Sequence, residues 1–376
     1  MTTRLMMAMV LVSTGFTWAA EPTSRPVIEP GKVWFDTDGR EIQAHSAGIL
    51  LKDGVYYWYG EEKTHGNLNK VGVACYSSRD LYRWKSEGIA LAKSELPKQF
   101  QDRGICERAK VLYCAKTGKY VMWMHLDDQQ YVTAMAGVAV AERPEGPFEH
   151  VAHFRPVNHD FGAAANDRCR QKELGGTYRD MNLFLDDDGR AYVFYASEDN
   201  RTMYVVRLNE EFTGPERPAV LGKTWNRILV GHTREAPAPF KHMGTYYLIT
   251  SACTGWGANA ASYATASDVL GPYKVMGNPC VGADRNKTFG AQGTFVLPVG
   301  GKSGCFIFMA DRWNADRLGD SRYIWLPFVV KEDGTFTIEY REGWDMSIFD
   351  QLKQQATGRR GRGRGRFAAW RRWCRR

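Results

Sequence analysis

The sequence lacks several things that would have directed it elsewhere. Its eight cysteines, Cys75, Cys106, Cys114, Cys169, Cys253, Cys280, Cys305 and Cys374, form no Cys-x-x-Cys pair and no zinc spacing. No amphipathic helix longer than a turn or two can be traced, which excludes a helical bundle. Beyond the N-terminus no apolar run approaches a membrane span. Acidic residues are missing from the C-terminus, where Arg359 to Arg376 hold nine arginines. Without them the formal net charge of +8 becomes −1, so the basic balance describes the tail and not the body. No nucleic-acid-binding fold precedes that tail, and no nucleic-acid partner is expected.

What is present is a repeat. Glu235 opens Arg234-Glu235-Ala236-Pro237-Ala238-Pro239-Phe240 and lies nine residues before Gly244, after which Tyr246-Tyr247-Leu248-Ile249 follows. The same nine-residue offset separates His45 from Gly54, Asp180 from Gly189 and Gln292 from Gly301, each ahead of an aromatic run. Glu107 precedes Gly118 by eleven residues, the same unit with a longer turn. Alternating apolar and polar residues broken by turn clusters such as Lys52-Asp53-Gly54 read as hairpins. Five copies, 55 to 73 residues apart, predict an all-β chain folded as a five-bladed β-propeller. The blades are expected at about 42–92, 107–154, 177–221, 233–277 and 288–349, with a loop over 155–176. Trp34-Phe35-Asp36-Thr37-Asp38-Gly39 is expected as a first short strand in a Pro-rich lead-in.

In a propeller every inner strand starts at the same end of the channel. His45, Glu107, Asp180, Glu235 and Gln292 should therefore converge. Carboxylates meeting in a funnel cannot all ionise cheaply, and one becomes a proton donor at neutral pH. Glycoside hydrolysis needs such a donor on the leaving oxygen. Glu235, in its Ala-Pro context, is the best candidate, with Asp180 orienting it and tuning its pKa. Arg108, Arg179 and Arg234 are expected to pair with carboxylates or bind sugar hydroxyls. Trp58, Trp123, Trp256 and Trp313 fall near strand ends, where one or two of them would stack on sugar. Glu61, Glu62, Glu198 and Asp199 follow inner strands and either reach substrate or end in solvent. Asp186-Asp187-Asp188-Gly189 mimics a calcium loop but reads as a hairpin turn.

The first residues, with Arg4, the apolar stretch from Leu5 and the small residues Ala19 and Ala20, read as a signal peptide over 1–20. The protein is then expected to be secreted or periplasmic, cleaved near Ala19/Ala20, with the propeller over 21–350 and an appended disordered Arg/Gly-rich tail over 351–376. In such a compartment Cys253 and Cys280, which flank one predicted blade, are a possible disulfide pair.

The motifs carry a resemblance. Arg234-Glu235-Ala236-Pro237, Arg179-Asp180-Met181, Glu107-Arg108-Ala109-Lys110-Val111 and Ser197-Glu198-Asp199-Asn200 resemble glycoside hydrolase family 43, five-bladed propellers that invert the anomeric centre. Gln43-Ala44-His45-Ser46, Thr254-Gly255-Trp256, Phe289-Gly290-Ala291-Gln292, Asp311-Arg312-Trp313-Asn314 and Leu318-Gly319-Asp320-Ser321-Arg322-Tyr323 narrow it to the exo-β-1,3-galactanase branch. The resemblance covers roughly residues 32–350. It implies Glu235 as general acid, Asp180 as pKa modulator and Glu107 in the galactose subsite. His45 stands where the family's usual aspartate base would be. Gln292 matches a glutamine that replaces that base and would hold the attacking water, with the imidic-acid tautomer as one way to do so. His45, Glu61, Glu198, Trp256, Trp313 and Arg322 complete the expected substrate-binding set. No organic cofactor is implied and no metal ligand is assigned, though a structural cation in the channel stays open. The expected partner is a β-1,3-galactan or arabinogalactan chain, bound by a monomer. Another family 43 specificity, an arabinofuranosidase or β-xylosidase, and a non-catalytic glycan-binding propeller are the alternatives.

Overall fold

The computed structural model describes residues 26–158 and 167–357. The leader expected at 1–20, the Arg-rich tail from residue 358 onward and Cys374 lie outside them. Five antiparallel sheets are arranged as the blades of a β-propeller. Blade one runs His45–Lys52, Val55–Glu61, Gly72–Ser78 and Lys85–Ala92. Blade two runs Gly104–Cys114, Lys119–Asp128, Met135–Ala141 and Glu149–Phe154. Blade three runs Met181–Leu185, Ala191–Ser197, Thr202–Arg207 and Trp225–Ile228, so it ends beyond the expected residue 221. Blade four runs Arg234–His242, Thr245–Ala252, Ser262–Ala266 and Lys274–Gly277. Blade five has three strands, Gln292–Pro298, Cys305–Arg312 and Arg322–Val329.

Turn chemistry fixes the register of the inner hairpins. Lys52 pairs with Val55 across Asp53 and Gly54, whose φ angles are 51° and 75°. Two left-handed residues in succession make the turn whose twist matches the strands it joins. Met243 and Gly244, at 48° and 79°, repeat the device in blade four.

A second irregularity aims the inner strands at the channel. The ladder shifts register between His45 and Gly48, Glu107 and Lys110, Glu235 and Ala238, and Gly293 and Phe295. In the first three cases the residue after the repeat position is left-handed: Ser46 (φ 55°), Arg108 (60°) and Ala236 (52°). A β-bulge of this kind bends the strand and redirects the side chains beside it. It explains how residues at a strand start reach a shared pocket instead of alternating inward and outward.

Apolar clusters fill the seams between blades. Between blades five and one, Trp58, Trp84, Trp325 and Tyr323 are buried together with Trp344 and Phe349. Rings of this kind each bury roughly 150–250 Å², about 4–6 kcal/mol of transfer free energy.

The ends of the chain differ from expectation. The Trp34–Gly39 stretch forms no strand, only an isolated bridge from Phe35 to Glu41. Upstream, Ile28 bridges to Trp344 and Gly31 N–H donates to Tyr323 O at 2.8 Å, so the N-terminal segment lies along blade five and closes the ring. The boundary expected at residue 350 falls inside a helix, Ile348–Ala356, whose Phe349 is buried in the blade five/blade one seam. Its one apolar face is too short to declare itself in the sequence.

Candidate active site

One cavity of about 330 Å³ opens where the inner strands begin, and its lining includes Glu61, Glu107, Asp180, Glu235 and Gln292. Four of the five repeat positions therefore meet there. The fifth, His45, does not line it: it is wholly buried behind the wall, with Nδ1 3.2 Å from Asp311 Oδ1 and its ring stacked on Tyr323. Its blade-one bulge turns the ring toward blade five and removes it both as a substrate contact and as a base in reach of substrate.

Glu235 sits in the blade-four wall. Gln292 Nε2 donates to its Oε1 at 2.9 Å, and Asn200 Nδ2 donates to its Oε2 at 3.1 Å. Burial, and secondly the charge of Asp180, push its pKa up to about 8 against the opposing pull of Arg108. The carboxyl is thus kept protonated at neutral pH.

Gln292 is held at both ends of its amide. Its Oε1 accepts from Arg108 at 2.5 Å and from Trp313 Nε1 at 3.1 Å, and its Nε2 also donates to Ser251 Oγ at 3.0 Å. The same Arg108 guanidinium pairs with Asp180 at 2.8 Å and reaches Gly293 O at 3.3 Å. Arg108 therefore ties blades two, three and five together under the pocket.

Where blades one and two meet, the pocket wall is a chain of alternating charge. Glu61 accepts from Arg108 N–H at 2.8 Å and pairs with Lys63 at 2.6 Å. Lys63 lies 3.5 Å from Glu107, which lies 3.5 Å from His125 and accepts from Tyr131 OH at 3.0 Å. His125 in turn meets Asp127 at 2.9 Å. Burial alone would raise the Glu107 carboxyl, but Lys63, His125 and Arg108 hold it at about 2. Burial would lower His125, yet Asp127 and Glu107 raise it to about 9.

Glu107, His125 and Asp180 bring ligand atoms within 4.8 Å of one another. Asp180 is already paired with Arg108 and Glu107 lies beside Lys63, so two of the three groups already meet a cation. At the mouth, Trp256 and Trp313 line the cavity with ring centroids 5.0 Å apart at 70°. Trp58 and Trp123 are core residues with no exposure.

Two other expected contacts lie elsewhere. Glu198 faces away and binds Arg227, Tyr204 and Thr202. Glu198, Asp199 and Asn200 are all left-handed (φ 52°, 57° and 63°), and this tight loop turns Asn200, not Glu198, into the pocket. Arg322 pairs with Glu41 and Asp320 outside the cavity. The expected disulfide is absent: Cys253 is a free thiol on the pocket wall and Cys280 a free thiol in the core between blades four and five. Lys63, Asn67, His125 and Tyr131 were not singled out by sequence reasoning. His125 stands opposite Glu107 in the inner hairpin of blade two and Lys63 follows Glu61 by two residues, but the contacts of Lys63 with Glu107 and of Asn67 with Tyr131 join segments far apart in the chain.

A raised carboxylic acid, a second carboxylate one blade away and aromatic rings at the mouth define a sugar-processing propeller. Residues 44–336 match the profile of glycosyl hydrolases family 43, and the chain belongs to that family. A family 43 β-1,3-galactosidase solved with galactodeoxynojirimycin is 42% identical, covering 85% of this chain and 100% of that one, with a TM-score of 0.78. The exo-β-1,3-galactanase of Phanerochaete chrysosporium, solved with β-1,3-galactotriose, is 34% identical over 86% of this chain and 68% of that one, with a TM-score of 0.74. Among curated proteins, the extracellular endo-α-(1→5)-L-arabinanase 2 of Bacillus subtilis (strain 168) is 24% identical over 317 residues. The match takes in 80% of this chain and spans 58% of that relative's length. Among the described residues no helix is long and apolar enough to cross a membrane.

Proposed function

We propose that this chain is an inverting glycoside hydrolase that releases galactose from the non-reducing ends of β-1,3-galactan or arabinogalactan side chains. One observation carries the chemistry: Glu235 remains an acid up to about pH 8 while hydrogen-bonded to the amide of Gln292. Glu235 gives its proton to the glycosidic oxygen as the bond from that oxygen to the anomeric carbon breaks. Water attacks the anomeric carbon from the opposite face and loses a proton to solvent. Asp180 sustains the acid by its charge. Gln292 positions the water by exchanging one of its Nε2 contacts, to Glu235 or Ser251, for it, while Arg108 and Trp313 hold its Oε1. Glu107, kept ionised, accepts hydrogen bonds from sugar hydroxyls, and Trp256 and Trp313 stack on the ring. The substrate class rests on the likeness to the two solved galactan-acting enzymes. The reaction needs no organic cofactor. The N-terminal leader would deliver a monomer to the periplasm or the exterior, where such polysaccharides are met.

The test follows product anomers by NMR during hydrolysis of debranched β-1,3-galactan. Wild type should release α-galactose first. Glu235→Gln should lose roughly 10²- to 10⁴-fold in kcat, the contribution typical of general acid catalysis, and Gln292→Ala should be similarly impaired. β-Galactose appearing first would overturn inversion. Galactan binding without release would mark a lectin-like propeller. Faster turnover of arabinosyl or xylosyl nitrophenyl glycosides would move the protein toward another family 43 specificity.

A further inference from the structure

Lys110 is a buried charged group that the mechanism leaves unused. Lys110 lies on the blade-two inner strand with 1% exposure, below the pocket that Ser46 and Arg108 line. It borders instead the cavity of about 260 Å³ at the other end of the channel. A buried ammonium normally requires a carboxylate partner. Lys63 has two, Glu61 and Glu107. Among the described residues Lys110 donates only to backbone carbonyls, Ser46 O at 2.8 Å and Arg108 O at 3.2 Å.

Those two carbonyls belong to the left-handed bulge residues of blades one and two. The bulges orient what matters above them: Ser46 N–H donates to Asp311 Oδ2 at 2.7 Å, and Arg108 sends its guanidinium to Gln292 and Asp180. Blade one gives up a side chain to admit the lysine stem. A Cβ at Gly48 would stand 2.5 Å from Lys110 Cδ and 3.0 Å from Ala109 O.

We infer that Lys110 is a positioning residue: it staples the Ser46 and Arg108 bulges to each other and so holds the Arg108 guanidinium on Gln292 and Asp180. Burial, and then Arg108, push the lysine down to about 7, while Glu61, Asp180 and Asp311 pull it upward. Two carbonyls need two N–H donors, and the ammonium and the neutral amine both supply them. The staple therefore survives titration.

The kinetic part of the test rests on the reaction centre proposed above. Lys110→Met keeps the stem and removes the donors. A guanidinium that swings off Gln292 misaligns the water, and kcat on β-1,3-galactan should fall ~10- to 100-fold with KM little changed. The Arg108 charge that restrains Glu235 would also move away, so the alkaline limb of kcat should shift upward. In an Arg108→Ala background the same substitution should add almost nothing. Loss of folded protein alone would move neither the limb nor the coupling. A crystal structure of Lys110→Met gives a readout independent of activity, with Arg108 expected off Gln292. Should Lys110→Met fail to fold, Gly48→Ala crowds the same stem and should give the same signature more weakly. Arg108 still bonded to Gln292, or additive kinetics, overturns the inference. A wild type that releases no galactose overturns the functional reading instead, and the crystal structure still decides the position of Arg108.

Discussion

Two walls of one pocket treat the same side chain in opposite ways. On the blade-two wall Glu107 is buried and held at about 2; on the blade-four wall Glu235 is buried and raised to about 8. Desolvation is the largest influence on both and acts in the same direction. What differs is the company. Glu107 has Lys63, His125 and the phenol of Tyr131 around it. Glu235 has two neutral amides and the Cys253 thiol, a second carboxylate nearby, and Arg108 as its main restraining cation. Burial sets the stakes, and the count of adjacent cations decides the outcome. The pocket thereby obtains a permanent acceptor and a proton donor from one residue type.

The comparison is most exposed at Lys63. Lys63→Met leaves Glu61 buried without its paired cation and Glu107 with only His125 and Arg108, and should cost ~3–5 kcal/mol in urea denaturation while weakening galactose binding. A loss near zero would mean that the blade-two charges are not what holds Glu107 ionised. The blade-four wall is tested by pH. Glu235 is raised from an unfolded value of ~4.3, so the folded state binds the extra proton. Its contribution to stability is complete below the unfolded pKa and is lost as pH rises toward about 8. Wild type should therefore lose up to ~1.4 kcal/mol per pH unit in that window relative to Glu235→Gln. Parallel stability profiles for the two proteins would show that Glu235 is not raised. The smallest effect belongs outside the pocket. Arg322→Gln removes partly exposed pairs with Glu41 and Asp320, and should cost under ~1 kcal/mol with kcat within about twofold of wild type.

Legibility followed the range of the interaction. The offset from a polar residue to a turn glycine is a property of one hairpin, so it is written locally and shows five times. The aromatic runs and left-handed turns are local as well. Arg108 stood in the sequence as a cation with a carboxylate to find, but Gln292 is 184 residues away and its role depends on the bulge. Glu198 and Asn200 share one tetrapeptide, and only three consecutive left-handed residues decide which of them faces the pocket. Cys253 and Cys280 flank the same blade, which suggested a bond that their places on the pocket wall and in the core rule out.

The sequence by itself determined a five-fold repeat, the end of the channel at which its polar residues gather, and the identity of the carboxyl in an apolar frame. Each rests on patterns of period two and on residues close in the chain. The tertiary structure alone decided that His45 turns into the wall, that Arg108 joins three blades, and that the two glutamates differ in charge. Those outcomes depend on where a bulge aims a side chain and on which cation it then meets from another part of the chain. An effect that falls off within a few ångströms is fixed only once the blades are packed.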